Sequence, residues 1–110
     1  MIKITIYQND KSEYVGFRTK GHAGYDEYGK DIVCASASVL VINTINSIEA
    51  FTEDQISVRA DEESGEICFR LQNSPSKEAA LLLSAMVLGL QNMADEKEYR
   101  NYIDLRFREV

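Results

Sequence analysis

One histidine and two cysteines are the residues of this chain best suited to nucleophilic chemistry. They are His22, Cys34 and Cys68. A cysteine thiolate attacks a carbonyl carbon when a nearby base takes its proton, and histidine commonly serves as that base near neutral pH. His22 and Cys34 lie 12 positions apart in one glycine-rich segment that can fold back on itself. The sequence therefore predicts a nucleophile and its base within reach of each other.

The elements that position these side chains follow from the spacing of apolar residues. Residues 2–7 alternate apolar and polar side chains, and the same period of two returns over 14–20, which predicts an opening hairpin. His22 comes just after the second strand. Residues 21–31 contain three glycines among polar and aromatic side chains, a composition typical of a loop.

A long helix is predicted after this loop, over residues 32–51, because apolar residues recur there at helical spacing and charges are few. Asp31 then stands at the N-cap position. Cys34 lies in the predicted first turn, where the free N–H groups of a helix favour a thiolate and can hold an oxyanion. Asp31 is also placed to orient His22, and the sequence leaves both roles open.

The rest of the chain repeats these two patterns. Alternating residues predict three more strands, over 56–60, 67–71 and 103–108. Ser74 as N-cap and Pro75 as the first helical residue predict a second helix that ends near Asp95. Residues 61–65 are expected to form a turn, in which the charged run Asp61-Glu62-Glu63 is only solvated. The order ββ-α-ββ-α-β predicts a single α+β domain over 1–110, with helices packed on a mostly antiparallel sheet.

Composition limits the partners and the compartment. With 12 Lys and Arg against 18 Asp and Glu, the net charge of −6 predicts no direct contact with nucleic acid and favours a basic protein partner. The chain does not begin with a basic segment followed by an apolar run, and no stretch is expected to reach the roughly 18 apolar residues of a membrane helix. A cytoplasmic protein with reduced thiols and no membrane contact is predicted.

The loop also offers candidate substrate contacts. Tyr25 and Tyr28 either touch an extended peptide or anchor the loop, and Gly24 and Gly29 would let the loop close over that peptide. Two cysteines and one histidine are too few for a zinc site made of these residues alone, so no metal is predicted.

Each candidate residue also has a structural interpretation. A cysteine near the start of a buried helix is commonly a small core residue, and Cys68 in a predicted strand is expected to be structural. His22, Cys34 and the loop together favour a cysteine protease, and two alternatives to it follow. One is a non-catalytic dimeric binding module. The other is a redox or acyl-transfer protein that uses Cys34, although the absence of a CxxC pair weighs against redox chemistry.

Two blocks of the sequence resemble a known family. GHA at 21–23 and GKDIVCA at 29–35, with the glycines between them, are similar to the ribosomal-processing cysteine protease family, Prp. The likeness extends over essentially the whole chain. It implies a cytoplasmic, homodimeric endopeptidase that removes the N-terminal extension of large-subunit ribosomal protein twenty-seven. For the non-catalytic alternative, it implies a homodimeric binding module associated with the ribosome. It also implies a His22–Cys34 dyad that works through a thioester without a cofactor, and a mobile substrate loop between the two blocks.

Overall fold

The computed structural model describes residues 1–21 and 28–110, with side chains described for 1–21 and 32–110. The strands are β1 (Ile2–Gln8), β2 (Tyr14–Lys20), β3 (Ile56–Asp61), β4 (Glu66–Leu71) and β5 (Ile103–Glu109), and the helices are α1 (Tyr28–Phe51) and α2 (Lys77–Asp95). The strands form one sheet in the order β3-β4-β2-β1-β5. All neighbouring strands are antiparallel except β1 and β5. The predicted α+β fold with the order ββ-α-ββ-α-β is confirmed.

Strand register separates the two faces of the sheet. Ile4 pairs with Thr19 and Ile6 pairs with Phe17, and all four side chains are buried on the face that the helices cover. Phe17 also pairs with Phe69 of β4, and the centroids of their stacked rings lie 5.0 Å apart. Because side chains alternate along a strand, a slip of one residue would turn these groups toward the other face. Core burial therefore fixes the register.

A narrow stripe of α1 packs into the core. Val33, Ala37, Val41 and Ile48 are each at most 1% exposed, and their spacing places them on one side of the helix. The helix begins at Tyr28, four residues before the predicted start. The sequence of residues 28–31 shows no apolar periodicity, so the pattern does not reveal this first turn.

Residues 32–51 of α1 are long and apolar enough to span a membrane by length and composition alone. The expectation that no stretch reaches that length was therefore wrong. The core helix of a globular protein passes the same test, and Val33, Val41 and Ile48 of this helix are buried against the rest of the fold. Length and composition are weak evidence for a membrane span here.

Helix α2 begins at Lys77, and its N-cap is Ser76 rather than the predicted Ser74. The Ser76 hydroxyl accepts a hydrogen bond from the backbone N–H of Ala79 at 3.1 Å. Asp54, in the loop after α1, accepts a hydrogen bond from the Ser76 N–H at 2.9 Å and a second one from the Ser76 hydroxyl. A residue 22 positions away thus fixes this cap, which local sequence does not reveal.

The Asp54 carboxylate makes stability depend on pH. Partial burial opposes its ionisation, but hydrogen bonds from Ser76 outweigh that effect and lower the pKa of Asp54 below its usual value. A lowered folded-state pKa contributes stability above the unfolded-state pKa of about 4, and this contribution is lost as pH falls through the folded-state pKa.

We therefore expect the difference in free energy of unfolding between wild type and Asp54→Asn to be constant above about pH 5 and to shrink below about pH 4. Urea denaturation across this range measures it, with the exposed neighbour Glu53→Gln as the control. A difference for Asp54→Asn that did not change with pH would contradict this account.

Ser76→Ala should lower the free energy of unfolding by about 1 kcal/mol, because it removes the N-cap hydrogen bond.

Candidate active site

Cys34 lies on the side of α1 that faces the sheet, and it is 8% exposed. It is the seventh residue of α1 and therefore lies in the second turn. The free N–H groups of a helix belong to its first turn, and the influence of the helix dipole fades within that turn. The prediction that the helix start activates Cys34 and supplies its oxyanion donors is therefore wrong. Activation of the Cys34 thiol therefore depends on a base beside it rather than on the helix start.

A cavity of about 270 Å³ opens at the Cys34 side chain. Helix α1 contributes Cys34 and Ser38, which lie one helical turn apart, and Gly21 lines another wall. The β3–β4 hairpin supplies the remaining residues, which are Ala60, Asp61, Glu62, Gly65, Glu66 and Ile67. The expectation that this hairpin ends in a merely solvated turn missed its position beside Cys34. Sequence gives no local signal for it, because sheet order alone brings β4 beside β2.

Gly21, which precedes His22 in the sequence, lines this cavity. It has a φ of +132°, a backbone conformation that suits glycine. A Cβ atom there would lie 2.9 Å from the carbonyl oxygen of Met1 and 3.1 Å from Cα of Ile2. Strand β2 must therefore be followed by glycine for the chain to turn here. The backbone immediately before His22 thus shares a cavity wall with Cys34.

The other predicted site residues fall into two groups. His22, Gly24 and Tyr25 lie outside the described residues. Tyr28 and Gly29, predicted on the substrate loop, belong to the first turn of α1 instead.

Asp31 is the fourth residue of α1, so its predicted role as the N-cap is wrong. An N-cap residue must lie outside the helical turn, and α1 has already begun at Tyr28. The side chain of Asp31 lies outside the described part of the chain, and its alternative role in orienting His22 stays a prediction.

Cys68 has surroundings unlike those of Cys34. It lies in β4 on the face of the sheet away from the helices, and its thiol donates a hydrogen bond to Glu66 Oε1 at 3.4 Å. Burial, followed by this carboxylate, raises the pKa of the Cys68 thiol. Because the thiolate is the nucleophilic form, this shift lowers the reactivity of Cys68. The environment supports the structural role predicted for this residue.

Three carboxylates give the cavity a negative mouth. Asp61 and Glu62 are exposed, while Glu66 is half-buried and forms an ion pair with Arg18 at 2.8 Å. The hydrogen bond from Arg18, followed by that from Cys68, lowers the pKa of Glu66. Carboxylates in this position would attract a cationic segment of a substrate. Among the side chains described, those of residues 1–21 and 32–110, no group of three His, Cys, Asp or Glu could hold a metal ion.

Comparison with known proteins places this arrangement in a family. The model of the family described as cysteine protease Prp matches residues 1–104. A Staphylococcus aureus protein named ribosomal processing cysteine protease Prp is 33% identical over 108 residues, which cover 98% of this chain and 100% of that protein.

Two crystal structures of the S. aureus protease Prp share the fold. The complex with a substrate peptide matches with a TM-score of 0.90 and 31% identity, over 98% of this chain and 100% of the other. The complex with a covalently linked product peptide matches with a TM-score of 0.85 and 32% identity, over the same shares. This chain therefore belongs to the cysteine protease Prp family.

Proposed function

We propose that this cysteine protease removes the N-terminal extension of large-subunit ribosomal protein twenty-seven, with Cys34 as the nucleophile and His22 as its base. The observation that carries the proposal is the cavity that Cys34 shares with Gly21, the residue before His22. The S. aureus relative is named for ribosomal processing, and its crystal structures hold peptides, which supports a peptide substrate.

The proposed reaction begins when His22 accepts the proton of the Cys34 thiol. The thiolate then attacks the scissile carbonyl carbon, and the resulting imidazolium gives its proton to the leaving amine. The extension stays attached to Cys34 Sγ as a thioester. A water molecule that His22 deprotonates hydrolyses this thioester, which releases the extension and restores the thiol. Asp31 is proposed to orient His22, and no step requires a metal or an organic cofactor.

The negative mouth of the cavity supports a basic protein substrate. Asp61 and Glu62 line the Cys34 cavity on its hairpin side. Carboxylates in this position speed the encounter with cationic segments and discriminate against acidic ones. Gly24, Tyr25, Tyr28 and Gly29 stay candidates for further substrate contacts.

A homodimer in the cytoplasm completes the proposal. Three large apolar side chains on the helices, Val39, Leu81 and Leu88, are 67%, 70% and 59% exposed, respectively. Burial of such side chains in a second copy would be favourable, which supports the dimer. A cytoplasmic location follows from the proposed ribosomal substrate and from the reduced thiols predicted for this chain.

The dyad is tested by mass spectrometry of the extended ribosomal protein after incubation with the enzyme. We expect one cut near the N-terminus of the substrate. Cys34→Ala and His22→Ala should each reduce its rate by at least about a thousandfold, because dyad residues act as a unit. Cys68→Ala should keep the wild-type rate. Cleavage that survives Cys34→Ala would show that another group is the nucleophile.

The substrate charge is tested by reversing charges at the cavity mouth. The variant Asp61→Lys with Glu62→Lys should lower kcat/KM about tenfold or more for a peptide rich in lysine, and the loss should shrink at high salt. Glu49→Lys with Glu53→Lys is the matched control, because α1 carries Glu49 about 22 Å along the helix axis from Cys34. Equal losses in both variants would contradict a role for the hairpin carboxylates.

The dimer is tested by sedimentation. Leu81→Glu with Leu88→Glu places two charges on one exposed side of α2 and should convert a wild-type dimer to a monomer without loss of helical content. A wild-type protein that sediments as a monomer at tens of micromolar would contradict the proposal.

A further inference from the structure

The face of the sheet away from the helices is basic, although the chain as a whole is acidic. Register and side-chain alternation place three rows of side chains across the five strands on this face. Its basic residues are Lys3, Arg18, Lys20, Arg59, Arg70, Arg106 and Arg108. Its acidic residues are Asp61, Glu66 and Asp104. We call this surface the open face.

The open face carries a charge of +4, from seven basic and three acidic residues. The rest of the chain holds five basic and fifteen acidic residues and carries −10. The expectation of no contact with nucleic acid was based on the net charge, which averages two unlike surfaces. Because salt screens charges beyond about 8 Å at physiological ionic strength, a partner on the open face interacts mainly with its cations.

Most of these cations are free to bind a partner. Arg18 pairs with Glu66 at 2.8 Å, and Arg106 pairs with Asp104 at 3.1 Å. Within the described part of the chain, the other five basic side chains of the open face have no carboxylate at ion-pair distance. Arg59, Arg18 and Arg106 stand in one row on alternate strands, which spaces their backbones about 10 Å apart.

An aromatic depression lies beside this row. The guanidinium of Arg70 lies 4.5 Å from the centroid of the Tyr7 ring. Gly16 pairs with both residues, and a Cβ atom there would lie 2.8 Å from Cδ of Arg70 and 2.4 Å from the carbonyl oxygen of Phe69. Because Gly16 has no side chain, Arg70 can reach the Tyr7 ring. Tyr7, Arg70 and Arg59 line a depression of about 530 Å³.

We propose that the open face binds single-stranded RNA. Guanidinium groups bind phosphate through paired hydrogen bonds, and cations spread over a flat sheet suit an extended polyanion. An aromatic ring with a stacked guanidinium offers the planar surface on which unpaired bases stack. An acidic protein segment would use the charges but would gain little from the Tyr7 depression, so these features favour RNA.

The open face lies next to the proposed peptidase site but does not include Cys34. Glu66 lines both the Tyr7 depression and the Cys34 cavity. RNA on the open face would therefore lie next to a peptide held at Cys34. The proposal does not depend on the peptidase activity, since it follows from charge and stacking on the opposite side of the sheet.

Fluorescence anisotropy with a labelled single-stranded RNA of about a dozen nucleotides tests the proposal over a range of salt concentrations. The variant Lys20→Gln, Arg59→Gln, Arg108→Gln removes three unpaired cations of the open face. We expect its affinity at about 0.1 M salt to fall at least tenfold and its log–log salt slope to decrease by about 2. Lys77→Gln, Lys97→Gln, Arg100→Gln removes the same charge elsewhere and should bind as wild type.

Stacking is tested with Tyr7→Leu, which should weaken RNA binding about tenfold while leaving the salt slope unchanged. Polyglutamate of equal charge is the competing probe and should bind much more weakly than RNA. Equal losses in the two triple variants, no binding at about 0.05 M salt, or equal affinity for polyglutamate would each overturn the proposal. Peptide cleavage by the open-face variant should match wild type, so this test is separate from that of the peptidase.

Discussion

The packing of α1 across the sheet is the constraint on which the functional positions depend. Val33, Val41 and Ile48 are buried against the face that carries Ile4 and Ile6. Each such side chain contributes about 1.5–3 kcal/mol when it leaves water, so rotation of the helix is strongly opposed. Cys34 is the neighbour of Val33 on this stripe. The contacts that form the core therefore also hold the Cys34 thiol near the N-terminal end of α1, beside Gly21, which follows β2.

The two faces of the sheet carry different chemistry because side chains alternate along each strand. On β4, Ile67 and Phe69 face the helices, and Ile67 reaches the cavity wall beside Cys34. Cys68 lies between them in sequence and faces the other way, with Glu66 and Arg18. The position of each cysteine thus decides its character. Cys34 lines a cavity of about 270 Å³, whereas Cys68 lies on a charged surface and has a raised pKa.

The five strands and their succession along the chain were predictable, because apolar residues such as Ile4 and Ile6 recur with the period of two that a half-buried strand requires. The resemblance of the GHA and GKDIVCA blocks pointed to the correct family. Where helices begin was harder to predict.

Residues 28–31 show no apolar periodicity in the sequence, so the start of α1 was placed four residues too late and Asp31 was given a cap role it does not have. The Ser76 cap depends on Asp54, which is distant in sequence.

The site and the surface charge depended most on tertiary structure. In the sequence, Asp61 and Glu62 indicate only an ordinary turn. The order of strands in the sheet places their hairpin beside Cys34. The net charge of −6 gave no indication of the basic open face, because only strand register places Arg59, Arg18 and Arg106 on the same side of the sheet. Long-range pairing therefore created both features from residues whose local sequence is unremarkable.

The most direct test of the central claim is to trap the acyl-enzyme. The wild-type protein would be mixed with the extended ribosomal protein, quenched in acid within milliseconds to seconds, and analysed by intact-mass spectrometry and peptide mapping. The account predicts a transient adduct with the mass of the N-terminal extension, joined as a thioester to Cys34 and absent from Cys34→Ala. An adduct on Cys68, or cleavage with no adduct while the product forms in a burst, would contradict it.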